Sequence, residues 1–108
     1  MFWNTALLFF YEQHLPWVQN TYGRNSKDRD NWPPIIRFAR ALRNAAVHHQ
    51  GKLNITDPKV PPVSWHHLNY DHTNAGLKIF GDVMNLADML IFMVELSDEF
   101  DRLECPYP

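Results

Sequence analysis

Three of the chain's eight prolines, Pro58, Pro61 and Pro62, fall within a span of five positions just past its centre. Proline locks φ and has no amide to donate, so no regular helix or central strand crosses such a segment. Helical patterning is confined to either side of it. Residues 2 to about 20 carry Phe2, Trp3, Leu7, Phe10, Leu15 and Val18 at roughly helical spacing. Pro16 is expected to kink or end that helix early. The polar run TYGRNSKDRDN, residues 21–31, reads as an exposed loop. Asp30 or Asn31 is placed to cap a second helix, with Pro33 or Pro34 in its first turn. That helix, RFARALRNAAVHHQG in its later part, runs to about Gln50, where Gly51 is a natural terminator.

Residues 52–80 lack helical character. Residues 63–70 and 77–80 have strand-like composition, and Asn74-Ala75-Gly76 between them predicts the turn of a short β-hairpin. Residues 82 to about 104 form a last helix, with Val83, Leu86, Leu90, Met93, Val94, Phe100 and Leu103 as its apolar stripe. The expected fold is mainly α: a single small helical bundle over residues 1–108, with a Pro-rich segment and a short β-hairpin.

At 108 residues the chain supports one modest core, and 45% hydrophobic and 14% aromatic residues suit a folded domain. The apolar N-terminus is too short to span a membrane and lacks the positive start of a signal peptide. Cys105 is the one cysteine, so there is no internal disulfide, and a reducing cytoplasm fits. The net charge of -2 hides a division. Residues 24–59 hold eight Lys or Arg against three Asp, whereas residues 82–104 hold seven acids against Arg102. The basic half suits an anionic partner; the two halves would also suit faces of a bundle that attract one another.

The basic half centres on the second helix. At about 100° per residue, with Arg37 at zero, His48 falls near about 20°, Asn44 near 340°, Arg40 near 300° and Arg43 near 240°. These polar groups fill one arc, into which Ile36 and Val47 intrude, while Ile35, Phe38, Ala39, Leu42, Ala45 and Ala46 take the opposite side. Asn44 and His48 are neighbours one turn apart, so the amide can orient the imidazole. Arg43 and His48 stand at opposite edges of the arc, so a site using both is more readily assembled between two copies of the helix than on one. Histidine moves protons near neutral pH and arginine binds phosphate with a planar fork of donors. The pair suits work on a phosphodiester; a solvated basic face near a helix end would carry the same residues.

Arg43-Asn44-Ala45-Ala46-Val47-His48, an arginine, a polar residue, three further residues and a histidine near the end of an amphipathic helix, resembles the signature of the HEPN superfamily. The resemblance implies a small helical domain that dimerises, and a metal-independent endoribonuclease site in the dimer cleft. Arg43, Asn44 and His48 would be catalytic, with Arg37 and Arg40 guiding the RNA backbone. His48 would act as general base or acid, and Arg43 would stabilise charge on phosphorus. Products would end in a 2′,3′-cyclic phosphate, with no cofactor. Many members are toxins or act in anti-phage defence beside an antitoxin protein; others are non-catalytic and bind a protein or nucleic-acid partner. The Pro-rich segment interrupts the simplest helical pattern of that family.

His49 falls on the buried side of the wheel and reads as a core or interface residue. His66, His67, His72 and Asp71 match no zinc spacing, and neighbours in a strand point to opposite faces, so no metal site is expected. Trp65 and Tyr70 read as anchors of the hairpin. Trp17, Tyr22 and Trp32 suit packing at loop entrances better than base stacking.

Overall fold

The computed structural model describes residues 2–48, 52–53, 55, 59–66, 68–79 and 84–105; for residues 2–5, 26, 48 and 86 it describes the backbone alone. The described chain is mainly α with a short hairpin. In order come α1 (Phe2–Tyr22), α2 (Ser26–Asp30), α3 (Pro34–His48), β1 (Val63–Trp65), β2 (Leu68–Tyr70) and α4 (Leu86–Arg102). A 3-10 turn spans His72–Asn74. Among the described residues no helix is long and apolar enough to cross a membrane.

Pro16 does not end α1, which continues to Tyr22. The buried residues Leu7, Tyr11, His14 and Val18 hold the helix on the core both before and after it. The carbonyl left without an amide is that of Glu12, an exposed residue that water reaches. Gly23, at φ +102, terminates the helix and donates its amide to the Gln19 carbonyl at 2.9 Å.

The expected exposed loop contains a helix of its own. Asn25 precedes α2, its amide donating to the Asp28 carboxylate at 3.3 Å. Trp32, buried, donates its indole N–H to the Gly23 carbonyl at 3.1 Å and so ties both ends of this segment together. Asn31 is therefore not the cap of α3. It closes α2, donating its side-chain amide to the Lys27 carbonyl at 3.0 Å. The cap role falls to Pro33, whose carbonyl accepts from the amides of Ile36 and Arg37, both at 3.0 Å. Pro34 stands first in the helix, where its missing amide costs nothing. The expected stop at Gly51 lies outside the described residues.

α3 is the central element, in contact with α1, α4 and β1. It buries Ile36, Phe38, Ala39, Leu42 and Ala45. Two contacts set its direction against α1: Arg43 meets Glu12 and Trp32 meets Gly23, so the two helices run antiparallel. On its other side Phe38 packs tilted on Phe92 of α4, with ring centroids 5.6 Å apart, and Trp65 meets Phe92 edge-on at 5.1 Å.

The hairpin lies one connection earlier than its expected place. β1 and β2 pair antiparallel with Val63 opposite Tyr70 and Trp65 opposite Leu68. His66, at φ +53, begins the two-residue reversal, where a positive φ matches the twist of the strands. Both strands thus come from the segment that reads as one. The turn at Asn74-Ala75-Gly76 forms, but it returns the chain to Leu53: the amides of Gly76 and Leu53 pair with the carbonyls of Leu53 and Leu77, each at 2.7 Å. An isolated bridge joins Lys52 to Lys78.

Asn85 caps α4 reciprocally with Asp88: the Asp88 amide donates to the Asn85 side chain at 2.9 Å, and the Asn85 amide to the Asp88 carboxylate at 3.0 Å. The helix thus starts later than residue 82; residues 80–83 lie outside the description. Its buried face is Met89, Phe92, Leu96 and Phe100; of the expected stripe Phe100 is buried and Met93 and Leu103 pack partly buried against the core, while Met89, Phe92 and Leu96 were not expected there. Leu90 and Val94 are 46% and 61% exposed. The first half of α4 is apolar almost all round, so spacing alone does not choose the face.

Candidate functional site

The polar face of α3 is not open to solvent. Arg37, Arg40, Arg43 and Asn44 are all partly buried, because α1, α2 and the residues Leu53, Ile55, Val60, Pro61 and Val63 lie against it. Ile36, inside the polar arc of the helical wheel, is fully buried for the same reason.

A cavity of about 260 Å³ opens between these elements. Arg37, Arg40 and Asn44 line it from α3, and Arg29 and Asp30 from α2. Leu53, Ile55, Val60 and Val63 supply an apolar wall. Arg37 donates an Nη2 hydrogen to the Pro61 carbonyl at 2.8 Å, which fixes the fork while leaving its charge to be met by something else. Burial, and then the nearby Arg29 guanidinium, lower the pKa of Arg40 from its ordinary value. The arginine stays charged, but its cationic form is held at a cost.

Arg43 turns the other way, toward α1. Its Nε donates to Glu12 Oε1 at 2.8 Å and its Nη1 to Asn44 Oδ1 at 3.0 Å. Beside it Tyr11 is buried, and burial pushes its hydroxyl pKa up to about 12 even though Arg40 and Arg43 pull it down. Asn44 thus joins the two groups: its oxygen faces Arg43 while its side chain also lines the cavity. Its amide nitrogen remains a donor for a phosphate or an imidazole. His48 ends α3 one turn beyond Asn44, its side chain outside the description, as is all of His49.

The structure therefore gathers Arg37, Arg40 and Asn44 and sets Arg43 apart in an ion pair. Arg29, Asp30, Tyr11 and Glu12 complete the surroundings without any signal at motif level. Arg29 and Asp30 belong to the basic half of the chain, but only the fold of α2 brings them beside α3. Glu12 lies 31 residues from Arg43 along the chain.

A second groove lies between the hairpin and α4. His66 Nε2 lies 2.8 Å from both carboxylate oxygens of Glu95, and Trp65 Nε1 donates to Glu95 at 3.3 Å. Arg102 clasps Glu99 through Nε at 2.6 Å and Nη2 at 3.0 Å, which lowers the Glu99 pKa below its ordinary value. His66 thus has a carboxylate partner on α4. Among the described residues no three His, Cys, Asp or Glu converge on one point.

Compared with protein-family models, with curated proteins and with solved structures, the chain matches none.

Proposed function

We propose that the chain is a HEPN-like RNA-handling domain, a metal-independent endoribonuclease of the toxin or anti-phage defence type working in the cytoplasm. The observation that carries this reading is the convergence of Arg37, Arg40 and Asn44 on one cavity, a single helical turn from Arg43 and His48. The cavity holds backbone phosphate. His48 takes the proton from a ribose 2′-hydroxyl, whose oxygen forms a bond to phosphorus as the bond to the next nucleotide's 5′-oxygen breaks. That leaving oxygen takes a proton from water or a second imidazole. Arg43 stabilises the charge on the phosphoryl oxygens.

The site is completed by a second copy of the chain. Phe9 and Val47 are 74% and 45% exposed, and each lies about one turn from the Glu12–Arg43 pair, toward the same end of their antiparallel helices. Apolar groups flanking the motif favour a covering surface there. RNA digestion in EDTA tests the reading. Cleavage leaving 2′,3′-cyclic ends is expected from the wild type and is lost in His48→Ala and Arg43→Ala. Equal cleavage by wild type and His48→Ala would overturn it.

The Glu12–Arg43 ion pair favours a second reading, a non-catalytic dimeric module that binds a protein, such as an antitoxin, or a nucleic acid. Growth arrest on overexpression that needs both Arg43 and His48 supports the nuclease; a stable dimer without toxicity or cleavage supports the module.

A further inference from the structure

We infer that the solvent-facing side of α4 is a docking surface for a second copy of this chain, packed antiparallel across a twofold axis. Leu90, Ile91 and Val94 are 46%, 48% and 61% exposed, although Met89, Phe92, Leu96 and Phe100 of the same helix are buried in the core. With Val94 at zero, Ala87, Ile91 and Leu90 fall near about 20°, 60° and 320° on the helical wheel. Three large apolar side chains thus share adjoining turns of one face, with the small, exposed Ala87 in line beside them. A single exposed leucine is ordinary, but a contiguous apolar patch on a folded domain marks a surface that another surface covers.

The second half of the same face is acidic. Asp98 and Asp101, both exposed, continue the stripe near about 40° and 340°. This division selects the occupant and its direction. A parallel second copy would lay apolar on apolar but set four carboxylates side by side. An antiparallel copy centred near Ile91 also lays apolar on apolar, and sends the acids to opposite ends. At a rise of about 1.5 Å per residue the two Asp98 groups then stand roughly 20 Å apart, beyond the screening length at physiological salt. Each lies beside the first turn of the other copy's α4, the positive end of that helix. Asp88, the acid of that turn, sits about 120° round the wheel. Its carboxylate accepts from its own Asn85 amide at 3.0 Å. The contact is the same patch on both copies, so taken alone it closes at two. It lies on α4, whereas Phe9 and Val47 belong to α1 and α3, and it does not depend on cleavage at Arg43 and His48.

Sedimentation equilibrium tests it, in a Phe9→Glu background that disables the surface beside the Glu12–Arg43 pair. The mass is expected to rise with concentration from one chain toward two. Val94→Glu should weaken that association at least about tenfold, because a carboxylate would be buried in place of an apolar side chain. Its thermal midpoint should not change, since the residue faces solvent in the single chain. Asp98→Lys should weaken association severalfold, because it brings a cation to the positive end of the other helix. Tighter association of Asp98→Lys would mean that acid meets acid, and would overturn the inference. So would a single-chain mass at every concentration, or association that Val94→Glu leaves unchanged. If Phe9→Glu alone dissociates the wild type and Val94→Glu does not, the surface beside the motif stands and this one falls. If Phe9→Glu has no effect and Val94→Glu dissociates the chain, this surface stands and the one beside the motif falls.

Discussion

Two grooves borrow a wall from α3, and they handle charge in opposite ways. Between the hairpin and α4, His66 is matched to Glu95 and Arg102 to Glu99. Under α2, Arg40 stands near Arg29, with Asp30 the one acid among the described lining residues. The first contact joins the hairpin to α4, and the second braces the last turns of α4. A surplus of one sign around a cavity costs stability, since like charges repel and burial penalises each of them. The contrast is between charges matched one to one and cations gathered along one wall.

The core that joins α3, the hairpin and α4 is aromatic, and removing it is the harshest test. Phe92, fully buried against Phe38 and Trp65, should cost about 3–5 kcal/mol when changed to alanine, read as a lower urea midpoint. A loss below about 1 kcal/mol would mean that the hairpin and α4 are held by the polar contacts of Glu95 instead.

The two grooves should next fail at opposite ends of the pH scale. Tyr11, beside the basic cavity, has a hydroxyl pKa raised to about 12 against about 10 in an unfolded chain. The unfolded state then loses its proton first. Stability is unaffected by this group below pH 10 and falls as pH rises to 12, by on the order of 2–3 kcal/mol. Tyr11→Phe should remove that alkaline loss in denaturation curves. In the other groove the Glu99 pKa is lowered by the hydrogen bonds from Arg102, so its contribution is present above the ordinary carboxylate range and is lost as pH falls below it. Glu99→Gln should flatten the acid limb and leave the alkaline one unchanged.

Smaller effects sharpen the same contrast. Glu95→Ala strips a partner from His66 and from the partly buried Trp65 indole, and should cost about 1–2 kcal/mol. Glu12→Gln weakens an ion pair whose carboxylate is largely exposed, and should cost under about 1 kcal/mol in thermal unfolding. Yet it frees Arg43. In RNA-cleavage assays it should leave rates equal or higher if Arg43 works on phosphate, and lower only if the pair itself builds the site.

Local rules along the chain give the helical blocks, the turn at Asn74-Ala75-Gly76 and the polar arc of α3, because periodicity and proline act between near neighbours. The same rules misplace the partner strand of the hairpin. The compositions of residues 63–70 and 77–80 both suit strands, and only packing on Phe38 and Phe92 selects a reversal at His66. They also misjudge α4, where the apolar half offers several faces and the core takes Met89, Phe92 and Leu96. The site divides likewise. Arg37, Arg40, Arg43, Asn44 and His48 are readable as one helix face. Neither the cavity nor the diversion of Arg43 to Glu12 is readable there, since Arg29, Asp30 and Glu12 arrive from other elements.

By itself the sequence determined the three long helical segments, the proline-rich break between them, and which polar groups share one side of a helical wheel. Tertiary structure alone decided that this side is roofed, which arginines converge and which one is neutralised. Spacing along a helix sets the direction of a side chain but not what meets it, and the meeting depends on contacts between residues far apart in the chain.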